Sequence, residues 1–308
     1  MSIPNFFKIY YNTPMPQDKF TATWVSNSSI SDFLNCPRAY YLKNVWKRPE
    51  TNHKVQLTTP PLSLGSAVHE VIEALSILPT NTRFTQTLIP KFEIVWEKYT
   101  GKLGGFFNVE TEYKYKTRGQ EMLRKLELNP GPLKNLAVKI NMDLPHFWLD
   151  EENNIILCGK IDWLEYLPAS PAGGEEKDGV NIIDFKTSKN DEHEDSLQLP
   201  IYYLLAASCQ KRKVLSASYW YLENSLKPTQ QALPDKDAAL IKILKIAKEI
   251  KLARTLNKLS CPHNGCKHCE PLERIYKGGA EFVGVNSFGQ DCFVLPLLQT
   301  ENREGKIL

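Results

Sequence analysis

The sequence predicts an α/β fold in which a mixed central β-sheet is flanked by helices and extended by a helical insertion. Three observations carry that expectation. Two short apolar runs, NNIILCGKIDWLEYL (153–167) and GVNIIDFKTSK (179–189), are rich in Ile, Leu or Val and read as strands. PPLSLGSAVHEVIEALSIL (60–78) and LQLPIYYLLAASCQK (197–211) have helical periodicity and stand before and after those runs. Cysteines near both ends of the chain bracket the charged residues between them, as expected if residues 1–308 form a single unit.

Between the two strands, PASPAGGEEKDG has the Pro, Gly and charge content of a solvated loop, so the simplest geometry is an antiparallel hairpin. Side chains alternate with period two along a strand. Asp184 and Lys186 therefore share a face, Phe185 takes the other, and Asp162 joins them from the neighbouring strand. Two carboxylates on a rigid face suit a hard divalent cation such as magnesium. Such an ion polarises a phosphoryl oxygen and activates water, and an adjacent ammonium offsets charge that grows in the transition state. The chemistry predicted for this pattern is phosphodiester hydrolysis.

Upstream, Leu64, Val68, Ile72 and Leu75 mark one apolar helix face. Gly65 and His69 are four residues apart, so they lie one above the other; the glycine admits a close neighbour and the imidazole can face the carboxylates. A histidine ligand makes manganese an alternative to magnesium. Downstream, Pro200 fits a first helical turn, and Gln198 and Tyr202 share a face by the same four-residue spacing. Residues 81–128 read as helices, KFEIVWEKY and RGQEMLRKLEL, separated by GKLGGFFN, and are expected to cap the cleft. LPHFWLDEEN and VLSASYWYLE add strands, and EFVGVNSFGQDCFVLPLL predicts a terminal hairpin turning at S-F-G-Q. In DKDAALIKILKIAKEIKLARTLNKL, lysines 242, 245, 248 and 251 are read as a stripe opposite Ile241, Leu244, Ala247 and Ile250, a solvated face or a track for a phosphate backbone.

Composition is ordinary for a soluble protein: 308 residues, 42% hydrophobic and 24% charged, with a formal net charge of +3 that does not by itself call for a nucleic-acid partner. No apolar stretch approaches the length of a membrane span, and no phosphate-binding G-x-x-x-x-G-K-[ST] loop occurs. The opening MSIPNFFKIYYNTP lacks a basic segment followed by an apolar core, and the seven cysteines are not evenly paired; a reducing, cytoplasmic location is expected. Cys261, Cys266 and Cys269 lie close enough to bind one metal centre, with Cys36 as the candidate fourth ligand. Soft thiolates suit zinc or an iron–sulfur cluster, and the interspersed His263 and His268 keep zinc open. Cys158, Cys209 and Cys292 read as ordinary apolar cysteines.

The ordered series GxxxH (65–69), GxxD (159–162), DxK (184–186) and QxxxY (198–202) resembles the RecB-like branch of the PD-(D/E)XK nuclease superfamily. SNSSISDFLNCPRAYYL (26–42) looks like that branch's opening segment, so the likeness runs from Ser26 to Cys269. It implies a restriction-endonuclease-like core, metal ligation by His69, Asp162 and Asp184 with the Phe185 carbonyl, Lys186 as the catalytic lysine, and Gln198 and Tyr202 supporting the site or touching DNA. A subset of the branch, including AddB-type and CRISPR-associated exonucleases, closes the domain with a [4Fe-4S] staple held by one cysteine before it and three after it. That resemblance implies an iron–sulfur staple on Cys36, Cys261, Cys266 and Cys269. The usual spacing of the last three is two residues and then five, whereas here it is four and then two, which leaves Cys261 as the substitute. The implied activity is magnesium- or manganese-dependent cleavage of DNA, exonucleolytic on single strands or duplex ends, in repair, recombination or CRISPR adaptation, beside a separate helicase or CRISPR adaptation protein. The rival expectation is a catalytically silent nucleic-acid-binding module stabilised by iron–sulfur or zinc.

Overall fold

The computed structural model describes residues 18–168, 178–189 and 192–296; the opening MSIPNFFKIYYNTP and residues 169–177 of the loop PASPAGGEEKDG lie outside the described residues. The chain begins with β1 (Thr23–Val25), α1 (Asn27–Asn35) and the single-turn α2 (Pro37–Tyr40), followed by β2 (Val55–Leu57) and α3 (Pro60–Glu73). Ser26 starts α1 with a capping box in which it and Ser29 satisfy each other's backbone N–H, and prolines in the first turn of α3 pre-set its helical φ. The insertion supplies α4 (Ile89–Trp96) and α5 (Val109–Leu128), the latter capped by Asn108. Then come β3 (His146–Asp150), β4 (Ile155–Cys158), β5 (Trp163–Leu167), β6 (Gly179–Lys186) and α6 (Gln198–Cys209). The chain continues through β7 (Lys213–Tyr221), β8 (Thr229–Gln231), α7 (Lys236–Thr255), α8 (Glu270–Tyr276), β9 (Glu281–Val285) and β10 (Asp291–Val294).

The fold is mixed α/β, as the patterning predicts, with mixed sheets flanked by helices. The sheet that matters for function has the order β5-β6-β7-β8. β5 and β6 form the expected antiparallel pair, Trp163 opposite Ile183 and Leu167 opposite Gly179, while β6 and β7 run parallel across the α6 crossover. Central β6 is buried on both faces, which explains its nearly continuous apolar run. Its alternation sorts two cores. Val180 and Ile182 pack with Leu204 and Leu205 of α6 and Ile243 and Ala247 of α7; Ile183 and Phe185 pack with Val68 of α3, Phe92 of α4 and Leu123 of α5. Leu64, Val68, Ile72 and Leu75 all face this second core, as their spacing requires.

Two sequence expectations change in detail. The run 153–167 is two strands, because the chain bends at Gly159 to Asp162: β4 pairs with β1 and β3 in one sheet and β5 with β6 in another. A Cβ on Gly159 would lie 3.0 Å from Leu205 Cδ1, so a larger residue at the bend would press on that buried side chain. Asp162 consequently sits just before β5 and not within it. In α7 the buried face is Ala239, Ile243, Ile246, Ala247 and Ile250, whereas Ile241 is exposed. A residue repeated every third position drifts around a helix of about 3.6 residues per turn, so lysines 242 and 251 end on opposite sides. Lys248 pairs with Asp150 at 2.9 Å and Lys251 donates to the Asn153 carbonyl, tethering α7 to the β3–β4 turn.

β9 and β10 form the expected terminal hairpin, and β2 joins β10 to make a third sheet. This sheet and α8 enclose a small separate core in which Val55, Leu272 and Phe293 surround Cys36 and Cys269. Among the described residues no helix is long and apolar enough to cross a membrane.

One glycine shows how closely the insertion packs. A Cβ on Gly119 of α5 would stand 2.5 Å from Phe92 Cζ and 3.1 Å from Leu64 Cδ1, both on fully buried side chains. Gly119→Ala is therefore expected to destabilise by roughly 1–3 kcal/mol from overpacking, in spite of alanine's better helix propensity. Urea unfolding reads the change directly.

Candidate active site

The parallel step from β6 through α6 to β7 fixes the central residues. Alternation points Asp184 and Lys186 toward α6 and Phe185 toward α3. Asp184 is fully buried, with Lys186 Nζ 2.9 Å from its Oδ2 and the Gln198 amide donating to its Oδ1 at 2.6 Å. The same Gln198 accepts from Lys186 Nζ at 2.6 Å and donates to the Tyr202 hydroxyl at 3.2 Å. The four-residue spacing thus places Gln198 against the carboxylate and the lysine, with Tyr202 behind it as a partner of the amide.

On the α3 side, Asp162 Oδ2 accepts the Phe185 N–H at 3.0 Å and lies 3.3 Å from His69 Nδ1. His69 also meets the Phe185 ring edge-on at 6.3 Å between centroids. Gly65 lies opposite Thr187, whose Oγ1 would be 3.4 Å from an added Cβ, an ordinary contact, so a methyl group has room there. His69, Asp162 and Phe185 line a cleft of about 380 Å³. Asp184 lies out of solvent contact behind it.

Glu192 is a residue that the motif reading missed. Its carboxylate lies 2.7 Å from Lys186 Nζ, its N–H donates to the Tyr221 hydroxyl at 2.8 Å, and the Tyr219 ring faces the same ammonium at 5.1 Å. The acidic cluster E-H-E-D after DFKTSK was its only signal, and nothing in that cluster's spacing says which member returns to the lysine.

Charge explains the arrangement. Burial and the neighbouring Asp162 push Asp184 up to about 7, against the opposing pull of Lys186. Burial works to neutralise Lys186, but Asp184 and Glu192 outweigh it and keep the ammonium charged. Burial likewise lowers His69, and Asp162 more than restores it. Burial and the two carboxylates together drive Tyr202 well above the usual phenol range.

A buried carboxylate that ionises with difficulty beside a second carboxylate suits a divalent cation, which offsets both charges. Asp184 Oδ2 makes no hydrogen bond of good geometry, so it keeps acceptor capacity. The donor set of one imidazole and two carboxylates fits magnesium or manganese. The ligand atoms of His69, Asp162 and Asp184 do not all lie within 4.8 Å of one another.

The weakened acidity of Asp184 makes stability depend on pH. An unfolded aspartate titrates near 3.9, so between about 4 and about 7 the folded protein holds the extra proton on Asp184. Stability of the metal-free protein is therefore expected to fall as pH rises through that window, and Asp184→Asn removes the slope. Melting temperatures from pH 5 to 8 in chelator check both.

The four-cysteine group is closed. The Sγ atoms of Cys36, Cys261, Cys266 and Cys269 all lie within 4.8 Å of one another, and Cys266 and Cys269 are 3.6 Å apart. Gly265, at φ +130, and Asn264, at φ +59, turn the chain between Cys261 and Cys266. The backbone N–H groups of Cys269 and His268 hold Cys266 down to about 7, while burial pushes Cys269 up to about 12. His263 and His268 are not members of the group, which corrects the mixed Cys/His option. Arg38, next to the first thiol, pairs with Glu273 of α8 at 2.5 Å and joins the two chain ends from outside.

A profile of the PD-(D/E)XK nuclease superfamily matches residues 25–273. The chain belongs to that superfamily. Membership carries a nucleic-acid substrate, hydrolase chemistry and use of divalent metal, and the match spans both cysteine segments as well as β4 to α6. A comparison with curated proteins finds no match.

Proposed function

We propose that this PD-(D/E)XK protein is a metal-dependent DNA exonuclease acting on single strands or duplex ends. The observation that carries the reading is the convergence of buried Asp184 with Lys186, 2.9 Å from its Oδ2, and with Gln198, beside the cleft lined by Asp162 and His69. His69, Asp162, Asp184 and the Phe185 carbonyl hold the cation; Lys186, Gln198 and Tyr202 complete the catalytic group. When bound, a divalent ion supplies Lewis-acid polarisation of the phosphoryl oxygen and a more acidic water. Lys186 orients the attacking water and offsets charge on the phosphoryl oxygens. Gln198 fixes the lysine against Asp184, and Tyr202, held in its neutral form, secures Gln198. The helices of 81–128 act as a cap within one domain spanning 1–308.

The resemblance to AddB-type and CRISPR-associated exonucleases favours a [4Fe-4S] cluster on the four cysteines, with a role in repair, recombination or CRISPR adaptation beside a separate helicase or adaptation protein. Zinc is the second reading, favoured by thiol packing: a tetrahedral ion with arms of about 2.3 Å puts sulfurs roughly 3.8 Å apart. Seven free cysteines fit a reducing compartment such as the cytoplasm.

The test is digestion of matched end-labelled DNA and RNA, single- and double-stranded, by anaerobically purified protein, with an absorption spectrum and metal analysis. Shortening of DNA from its ends with metal supports the reading, and preference for RNA or internal cutting contradicts it. A brown protein containing iron and sulfide supports the cluster; a colourless one containing a single zinc selects the alternative.

A further inference from the structure

The β9–β10 turn presents Phe288 with 84% of its surface exposed, and it does so on a closely bonded loop. Asn286 Oδ1 accepts the N–H groups of Phe288 and Gln290, each at 3.0 Å, and Asn286 Nδ2 donates to Gln290 Oε1 at 2.9 Å and Gln56 Oε1 at 3.2 Å. Gly289 adopts φ +69, a left-handed conformation that closes the turn without strain. Holding an exposed phenyl ring on such a turn forgoes the burial that a folded-in ring would gain.

Its position gives that exposure a use. Phe288 and Tyr99 line both the 380 Å³ cleft of His69 and Asp162 and an adjoining cavity of about 400 Å³. A third cavity meets the cleft at Asp162 and Lys160, so the three continue one another along α3. Lys98 and Lys160 stand at the cleft, each half-exposed and paired with a surface glutamate, Glu70 or Glu73, at 2.5 Å. Exposed pairs of this kind contribute little, so a phosphate can replace the glutamate at small cost. An aromatic ring beside lysines at the mouth of a cleft is the pattern that stacks bases of a single strand while cations track its backbone.

We propose that Phe288 is a base-stacking residue that positions single-stranded DNA for entry into the carboxylate cleft, with Tyr99 on the same path. The cysteine core holds the hairpin at its base, since Phe293 of β10 packs with Cys36 and Cys269. The thiol site thereby positions a substrate-binding residue as well as joining the chain ends. The proposal rests on the nuclease reading for the identity of its ligand.

The experiment is fluorescence anisotropy of a labelled single-stranded 12-mer, and of the same strand with abasic sites, binding the full chain in calcium. Wild type, Phe288→Ala and Phe288→Trp are compared after their melting temperatures are shown to agree. Phe288→Ala is expected to weaken the normal strand roughly 5- to 100-fold, Phe288→Trp to stay within about threefold of wild type, and the abasic strand to bind both wild type and Phe288→Ala alike. Unchanged affinity in Phe288→Ala, equal losses on both strands, or no binding by wild type would each overturn the proposal. Cleavage by wild type in magnesium is scored separately: stacking without cleavage defeats the nuclease reading alone, and cleavage without a Phe288 effect defeats the stacking proposal alone.

Discussion

Lys186→Ala is expected to lower the DNA cleavage rate at least 10²- to 10³-fold, the usual loss when one preorganised charge is removed from a phosphoryl-transfer or acyl-transfer site. The protein is expected to stay folded. Removing one partner of a buried ion pair ordinarily costs several kcal/mol because the other charge is stranded. Asp184 escapes that penalty: already at about 7, it takes up a proton once the ammonium is gone. Gln198 still donates to its Oδ1, and Glu192, freed from the lysine, is partly exposed and can turn to water. Initial rates on end-labelled DNA, paired with melting curves, separate lost chemistry from lost structure. A Lys186→Ala protein that folds and cuts at the wild-type rate would remove the lysine from the mechanism.

Cys36→Ser carries the second large effect, and it falls on stability. Cys36 and Cys261 are candidate ligands 225 residues apart in sequence, so a metal shared between them would close a loop through nearly the whole fold. Chain-entropy arguments give a crosslink over a loop of that size about 5 kcal/mol. For a chain this long that corresponds to roughly 8 °C in melting temperature. The loss is expected to be local first. The core of Val55, Leu272 and Phe293 around the thiols is small and separate from the two larger cores, so α8 and β9–β10 open before the β5–β8 sheet. Hydrogen exchange with metal analysis checks this: the variant loses its bound metal and its protection in those elements. Full metal content and an unchanged melting temperature would deny the cysteines a joint structural role.

The buried architecture was legible in the sequence because it depends on periodicity. Alternation along GVNIIDFK places Asp184 and Lys186 together and Phe185 opposite, and four-residue spacing lets Gln198 bond both that carboxylate and Tyr202. The grouping of Cys36 with the late cysteines was legible too, from thiol chemistry and the ordered resemblance. What stayed hidden depends on chain reversal at short range. The bend at Gly159 that divides β4 from β5 looks in sequence like one apolar run. Glu192 reaches Lys186 only because the loop after β6 folds back. The lysines of α7 were misread because a three-residue repeat mimics a stripe on paper while it spirals around a real helix. Phe288 gave only a turn signal, since an aromatic in S-F-G-Q has no period to reveal which cleft it overlooks.

The most direct measurement is the rate of shortening of an end-labelled single strand by the folded protein, in magnesium or manganese and again in excess chelator. Cleavage is expected with either cation, none in chelator, and none from an Asp184→Asn variant supplied with metal. Equal cleavage in chelator, or an Asp184→Asn protein as active as wild type, would contradict a cation held by Asp162 and Asp184 as the source of the chemistry.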